Sequence, residues 1–290
     1  MIGEQEVRAY KRDGVIVVPD VLGSEVLARM RQVLAELVAD SVKTTEHTAV
    51  YDLEPGHSPA DPRVRRIKAP HKVHAVFDEV VRSPEVIAIL KALLGPGLRL
   101  HNSKLNMKSA RYGSPVEWHQ DWAFYPHTND DVLAIGVLLD DTDLSNGPML
   151  VTPGTHTGPV FNHHDSEGRF AGMIDPDDIS SEIARAVPCM GRAGSMSFHH
   201  VRALHGSALN TSDRQRNLLL YEVAASDAWP LLGLRTDWAE FERETLAGEP
   251  VLQPRTRELP VRLPFPPPLR AGSIYETQSA STKGYFNRAA

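Results

Sequence analysis

Apolar residues follow two different rhythms along this chain, changing near residue 97. Before that point they recur mainly at helical spacing, and after it they alternate or run in short blocks. Residues 4–12 read as a short helix followed by an apolar strand, Val15-Ile16-Val17-Val18, and Pro19. Ser24 then reads as an N-cap. Behind it Val26, Leu27, Met30, Val33, Leu34, Leu37 and Val38 form one apolar stripe on a helix over 24–43. Residues 44–70 are polar, contain proline and show no period, so they read as a covering loop. Ser83 to Leu94 reads as a further helix, stopped by Gly95-Pro96.

From residue 97 the pattern predicts strands. Leu98 to Lys108 alternates apolar with polar, and Leu133 to Leu139 is an apolar run bounded by acids. Pro148–Val151, Gly194–Phe198 and Asn217–Val223 are further strand candidates. Turn sequences such as Ser145-Asn146-Gly147-Pro148 and Pro153-Gly154 separate them. Several short strands with such turns predict a sandwich or barrel, with the preceding helices packed on one face. The tail after 255 is proline-rich and ends in small polar residues, a segment expected to be disordered or to form a lid.

Composition narrows the function. Hydrophobic residues make up 41% and charged residues 23%, as in an ordinary globular protein, and the net charge is −6. That balance lacks the basic footprint of a nucleic-acid binder. No window approaches a membrane span, and the opening MIGEQEVRAYKRDG has no apolar run, so no secretory signal is expected. Cys189 is the sole cysteine, which excludes an intrachain disulfide and a Cys-rich zinc site and fits a cytoplasmic location. Thirteen histidines direct attention to imidazole chemistry.

His119-Gln120-Asp121 is an H-x-D triplet. On a strand, residues i and i+2 share a face, so one strand offers an imidazole and a carboxylate to one ion. A histidine from another strand would complete a facial triad with three open positions, the arrangement of non-haem Fe(II) oxygenases. With 13 His and 19 Asp in 290 positions, about one H-x-D arises by chance, so the triplet alone is weak. Indeed His163-His164-Asp165 is a second one, rejected because its stretch is polar and loop-like. Trp118, Trp122, Phe124 and Tyr125 flank His119 and can supply an apolar wall, or ordinary core. His205 is the best third donor, with His199 and His200 as competitors. A 2-oxoglutarate co-substrate would need a cation for its far carboxylate, ideally an arginine fork. Arg216 opens an apolar strand 11 residues after His205, a costly position unless paired. Ser207 could add a hydroxyl, while Arg214 reads as a surface arginine paired with a nearby acid.

These residues together resemble the phytanoyl-CoA dioxygenase (PhyH) family of 2-oxoglutarate-dependent oxygenases. The match runs through Lys108, Trp118-His119-Gln120-Asp121, Asn146-Gly147-Pro148-Met149, Pro153-Gly154-Thr155-His156, His205-Gly206-Ser207, Asn210, Ser212 and Arg216. Tyr10 to Val18 is similar to the family's opening helix and strand, so the resemblance spans residues 5–225. It implies a mainly β fold with flanking helices, a double-stranded β-helix (jelly-roll, cupin-like). One domain over 1–290 is expected: a helical part to 96, a jelly-roll core over 97–225 and an extension over 226–290. It also implies Fe(II) on His119, Asp121 and His205, 2-oxoglutarate on Arg216 and Ser207, and O2 as oxidant. Asn102 and Lys108 are further co-substrate candidates, and Val137 stands where some relatives carry a tryptophan beside the co-substrate. Related halogenases lack the carboxylate that Asp121 supplies, so the resemblance implies an oxygenase.

Trp122, Phe124, Tyr125, His127, Phe161 and Trp229 are candidate pocket residues. Each could equally be core, but their character predicts a small, largely apolar substrate; the resemblance implies its hydroxylation, by family analogy in natural-product tailoring. No nucleic-acid or membrane partner is expected, and the oligomeric state stays open. Two other readings stand beside this one: a cupin-like metal enzyme without 2-oxoglutarate, and a non-catalytic binding protein on the same fold.

Overall fold

The computed structural model describes residues 2–286 except Arg235, Ala271 and Thr282. The predicted opening is present as α1 (Glu4–Asp13), β1 (Val15–Val18) and α2 (Ser24–Asp40). Gly23, not Ser24, is the N-cap of α2, because Ser24 is already the first helical residue. Residues 44–70 differ more from expectation. They hold β2 (Tyr51–Leu53) and β3 (Val64–Lys68), paired with each other and, through β3, with the main sheet. Arg65, Arg66 and Lys68 hide the strand pattern of β3. Each is nonetheless paired: Arg66 and Lys68 reach Asp52 at 2.8 and 2.9 Å, and Arg65 reaches Glu276. Three helices follow: α3 (Pro70–Val73), α4 (Ala75–Val81) and α5 (Pro84–Leu94), the last close to its predicted span and capped by the Ser83 hydroxyl.

The strand-rich part comprises β4 (Leu98–Lys108), β5 (Val116–His119), β6 (Val132–Leu138), β7 (Met149–Val151), β8 (Val187–Cys189), β9 (Met196–His200), β10 (His205–Ser207) and β11 (Arg216–Ala225). Between β7 and β8 lies α6 (Ser180–Ile183), and α7 (Trp238–Arg243), β12 (Thr245–Ala247) and α8 (Ile274–Ser279) close the described chain. Two sheets result. The major sheet runs β1-β9-β6-β11-β4-β3-β2, with β12 on β4, and the minor sheet runs β5-β10-β7-β8. Every strand pair is antiparallel. This interleaved order is a double-stranded β-helix, or jelly-roll, with flanking helices.

The two faces of the major sheet have different tasks. One packs under the helices in a single large core that includes Met30, Phe77, Val81, Leu90, Leu105, Ile135, Leu219 and Tyr221. That burial, at roughly 25 cal/mol per Å² of apolar surface, anchors the scaffold. The other face looks toward the minor sheet and carries Lys104, Asn106, Lys108, Arg216, Leu218 and Leu220. β11 is buried on both faces, which explains its near-continuous apolar run. Val137 belongs to the helix-covered face, so it does not adjoin the co-substrate position suggested for it.

Candidate metal centre

β5 and β10 are neighbours in the minor sheet, with His119 directly opposite His205. Their rings lie 4.1 Å apart between centroids. Asp121 joins them from the first residue of a 3-10 turn, Asp121–Ala123, that follows β5. The expectation that one strand carries both H-x-D ligands is therefore corrected: β5 ends at His119, and the chain turns to bring the carboxylate round. One potential donor atom from each of His119, Asp121 and His205 lies within 4.8 Å of the others. The Nε2 atoms of His119 and His205 are 3.8 and 3.9 Å from the Asp121 oxygens. Donors about 2.1 Å from a shared first-row ion fall within about 4.2 Å of each other, so both His–Asp pairs suit one ion.

The protonation pattern also fits a metal. Nδ1 of His119 lies 2.8 Å from the Glu117 carbonyl, and Nδ1 of His205 lies 2.9 Å from that of Ala203. A carbonyl only accepts, so Nδ1 carries the proton in each ring and Nε2 presents its lone pair. Burial, then the mutual proximity of the rings, pushes His119 well below the usual imidazole range. Burial and His199 push His205 down to about 4. Burial opposes ionisation of Asp121, but the Lys104 ammonium, His205 and the nearby His199 together hold it well below the carboxylate range. Two neutral imidazoles and an ionised carboxylate are the protonation states a divalent ion requires.

The triplet is braced through its middle residue. The Gln120 amide N–H donates to Nε2 of His163 at 2.8 Å. The Gln120 side chain donates to the carbonyls of Pro159 and Arg202 and accepts from the Phe161 amide. His163, set aside as a ligand, therefore positions the strand end. His199 and His200 part company. His199 places Nε2 3.5 Å from Asp121, whereas His200 faces Asp130 at 3.9 Å, beside the Arg202–Asp130 pair. Sequence left these two equivalent, since only the alternation of β9 separates them.

Opposite the donors stands Arg216, 2% exposed, at the start of β11 and paired in register with Lys108. Its Nη2 donates to the Gly147 carbonyl, and its Nε has no partner. Burial pushes the guanidinium down to about 10, still cationic at neutral pH. Lys108 is lowered by burial and by Arg216, and its ammonium is spent on the carbonyls of Ser207 and Ala208. Ser207, Arg216 and Lys108 all line one cavity with the three metal-type donors. Arg214 pairs with Asp143 at the surface, as predicted.

Other candidates fall elsewhere. Asn102 lies opposite Glu222 and lines a separate pocket with His71 and His101. Trp122 and Tyr125 pack in a satellite core, with the Trp122 indole donating to the Pro260 carbonyl. His127 is buried against His101 and lies 2.8 Å from the Tyr125 carbonyl. Phe161 packs on the cluster around Trp118, and Trp229 stacks with Trp238. Phe124 alone of the six meets a donor, edge-on to His119 at 5.7 Å. The aromatic list thus describes mostly structural packing. The missed wall comes from Ile274 and Tyr275 of α8, which border the cavity from the far end of the chain.

Comparison with known proteins agrees with this geometry. Residues 10–218 match the family model described as phytanoyl-CoA dioxygenase (PhyH). The chain is 36% identical over 289 residues to a probable alpha-ketoglutarate-dependent hypophosphite dioxygenase of Stutzerimonas stutzeri, covering 99% of this chain and 100% of that protein. It is 30% identical to L-proline trans-4-hydroxylase of Streptomyces griseoviridis, over 73% of this chain and 82% of that one. Among solved structures, EctD from S. alaskensis with bound Fe superposes with a TM-score of 0.67 at 24% identity, covering 88% and 87% of the two chains.

Proposed function

The chain belongs to the phytanoyl-CoA dioxygenase family, and from that membership we propose that its metal is held by His119, Asp121 and His205 and its co-substrate by Arg216 and Ser207. It is an Fe(II)- and 2-oxoglutarate-dependent dioxygenase that acts on a small molecule. The observation that carries the residue assignment is the facing of two incomplete sets across one cavity: three unspent donors, two on the minor sheet and one in the turn after β5, and a buried, half-unpaired arginine on the major sheet. When bound, iron lets O2 divide between two acceptors: one oxygen converts 2-oxoglutarate to succinate and CO2, and the other enters an X–H bond of the substrate.

The chain's own residues perform the binding and shielding. His119 and His205 offer neutral nitrogens without first losing a proton, and Asp121 supplies one compensating negative charge. The Arg216 guanidinium offers a fork to a carboxylate at the far end of the cavity. Leu218 and Leu220, from the same strand, keep water from the middle of the cavity.

The substrate is proposed to be small and polar. Lys104, Asn106 and His199 line the cavity, and none of the six aromatic candidates does. An expectation of a largely apolar substrate rested on those aromatics. The relatives named above act on hypophosphite and L-proline, both small and polar. Hypophosphite is the first candidate, because that similarity spans both chains end to end. A single domain over 1–290 is part of this reading, since α8 walls the cavity, and a cytoplasmic location suits the lone buried thiol Cys189.

The test is an anaerobic titration of the metal-free protein with Fe(II) and then 2-oxoglutarate, read as the visible charge-transfer band of the chelate. The wild type should show the band, His119→Ala should not, and Arg216→Ala should need far more 2-oxoglutarate. Iron binding without a band in the wild type would sink the co-substrate assignment. Succinate release with hypophosphite, L-proline or ectoine then ranks substrates.

A further inference from the structure

The cavity has a wall that the metal and co-substrate assignments leave unused. α8 carries Tyr275, which is 6% exposed and borders the same space as Arg216, Lys108 and Ser207. Its hydroxyl is buried and has no hydrogen-bond partner. An orphaned buried hydroxyl costs on the order of what a lost hydrogen bond costs, and native structures rarely leave one without cause. The Arg216 Nε–H on the same cavity is orphaned too. Two donors facing one space call for a shared acceptor, and a carboxylate offers about four lone-pair sites.

The placement of Tyr275 is built, not incidental. The Arg65 guanidinium lies over its ring at 4.6 Å and also pairs with Glu276, the next residue. Glu276 accepts from the Ser273 amide and hydroxyl in a capping box that starts α8. One turn on, Gln278 accepts from the Glu117 amide at 2.9 Å and donates to the Gly172 carbonyl at 2.8 Å. Burial raises the phenol, with Arg216 and Arg65 opposing, so at neutral pH it stays protonated and able to donate.

We propose that Tyr275 is a second anchor for the co-substrate: its hydroxyl donates to the distal carboxylate of 2-oxoglutarate beside Arg216, so that the C-terminal helix completes the co-substrate site. This rests on the assignment of Arg216 as the distal anchor. It makes the C-terminal segment part of the binding site and not a cover laid over it.

The test compares wild type with Tyr275→Phe, which keeps the ring under Arg65 and removes only the hydroxyl. Each protein is loaded anaerobically with Fe(II) and titrated with 2-oxoglutarate and, separately, with 2-oxopentanoate, which chelates identically but lacks the distal carboxylate. The expected result is 2-oxoglutarate binding about 10- to 100-fold weaker in Tyr275→Phe, the range of a hydrogen bond to a charged group, with unchanged Fe(II) binding. Binding of 2-oxopentanoate should be the same in both proteins. Equal affinity of the two proteins for 2-oxoglutarate would overturn the proposal and leave the function intact. Equal weakening on both ligands would also overturn it, by showing that Tyr275 only props the helix. No band in the wild type would instead bring down the co-substrate reading, and this proposal with it.

Discussion

The two H-x-D triplets, His119-Gln120-Asp121 and His163-His164-Asp165, have the same pattern and opposite fates. In both, the first histidine directs Nδ1 at the carbonyl two residues back, Glu117 at 2.8 Å and Phe161 at 2.9 Å. The tautomer is therefore the same, and the difference lies in what Nε2 meets. His119 meets a carboxylate and a second imidazole. His163 meets the Gln120 amide and spends its lone pair there. Asp165 likewise turns inward on its own loop, accepting from the amides of Glu167 and Arg169. A metal-binding motif is thus a matter of unspent lone pairs, and the spent triplet buttresses the unspent one.

Substitutions can break this contrast. The largest effect should come from His119→Ala and Asp121→Asn, each lowering Fe(II) affinity by more than about 100-fold in a metal-binding titration, since both remove or weaken a direct donor. Asp165→Asn should leave that affinity unchanged, and a loss would mean the second triplet also binds metal. His163→Ala should fall between, with Fe(II) affinity down roughly tenfold as the strand end loosens. The same variant leaves the Gln120 amide without its acceptor, so urea denaturation should show a loss of about 1–3 kcal/mol.

The smallest effect is one of pH. Burial pushes His163 down to about 4, against about 6.5 in an unfolded chain. Between those values the unfolded state takes up a proton that the folded state refuses. The stability from this group is complete above pH 6.5 and is lost as pH falls toward 4. His71, also near 4, and His200, near 3, add slopes of the same sign. Denaturation midpoints of the metal-free protein at pH 7.5 and 5 should therefore differ, and by less in His163→Ala. An identical pH dependence in that variant would show that His163 is not buried as described.

The legibility of the molecule follows the same divide between local and distant information. Helices α1, α2 and α5 and the long strands were readable because their apolar spacing is local. β3 was not, since its charges are balanced by Asp52 and Glu276 from elsewhere in the chain. His119, Asp121, His205 and Arg216 stood out as chemically costly residues in apolar surroundings, and the structure brings them to one cavity. The role of His163 was hidden because its partner is a backbone amide, which every residue carries. Tyr275 was hidden because a tyrosine in a polar tail has no local pattern to mark it. The tail, read as disordered or a lid, forms α8 and then a stretch packed on Trp118; residues 287–290 lie outside the described region.

Glu117 gives that tail a meaning in time. Its carbonyl orients the His119 ring, while its carboxylate accepts from the amides of Tyr285 and Phe286. A ribosome delivers chain from the N-terminus, so the donors at 119, 121 and 205 emerge well before the residues that wall them in. Until residues 274 and 275 are made, the cavity lacks the wall that Ile274 and Tyr275 supply. A product cut short before them would keep all three donor residues and lose that wall.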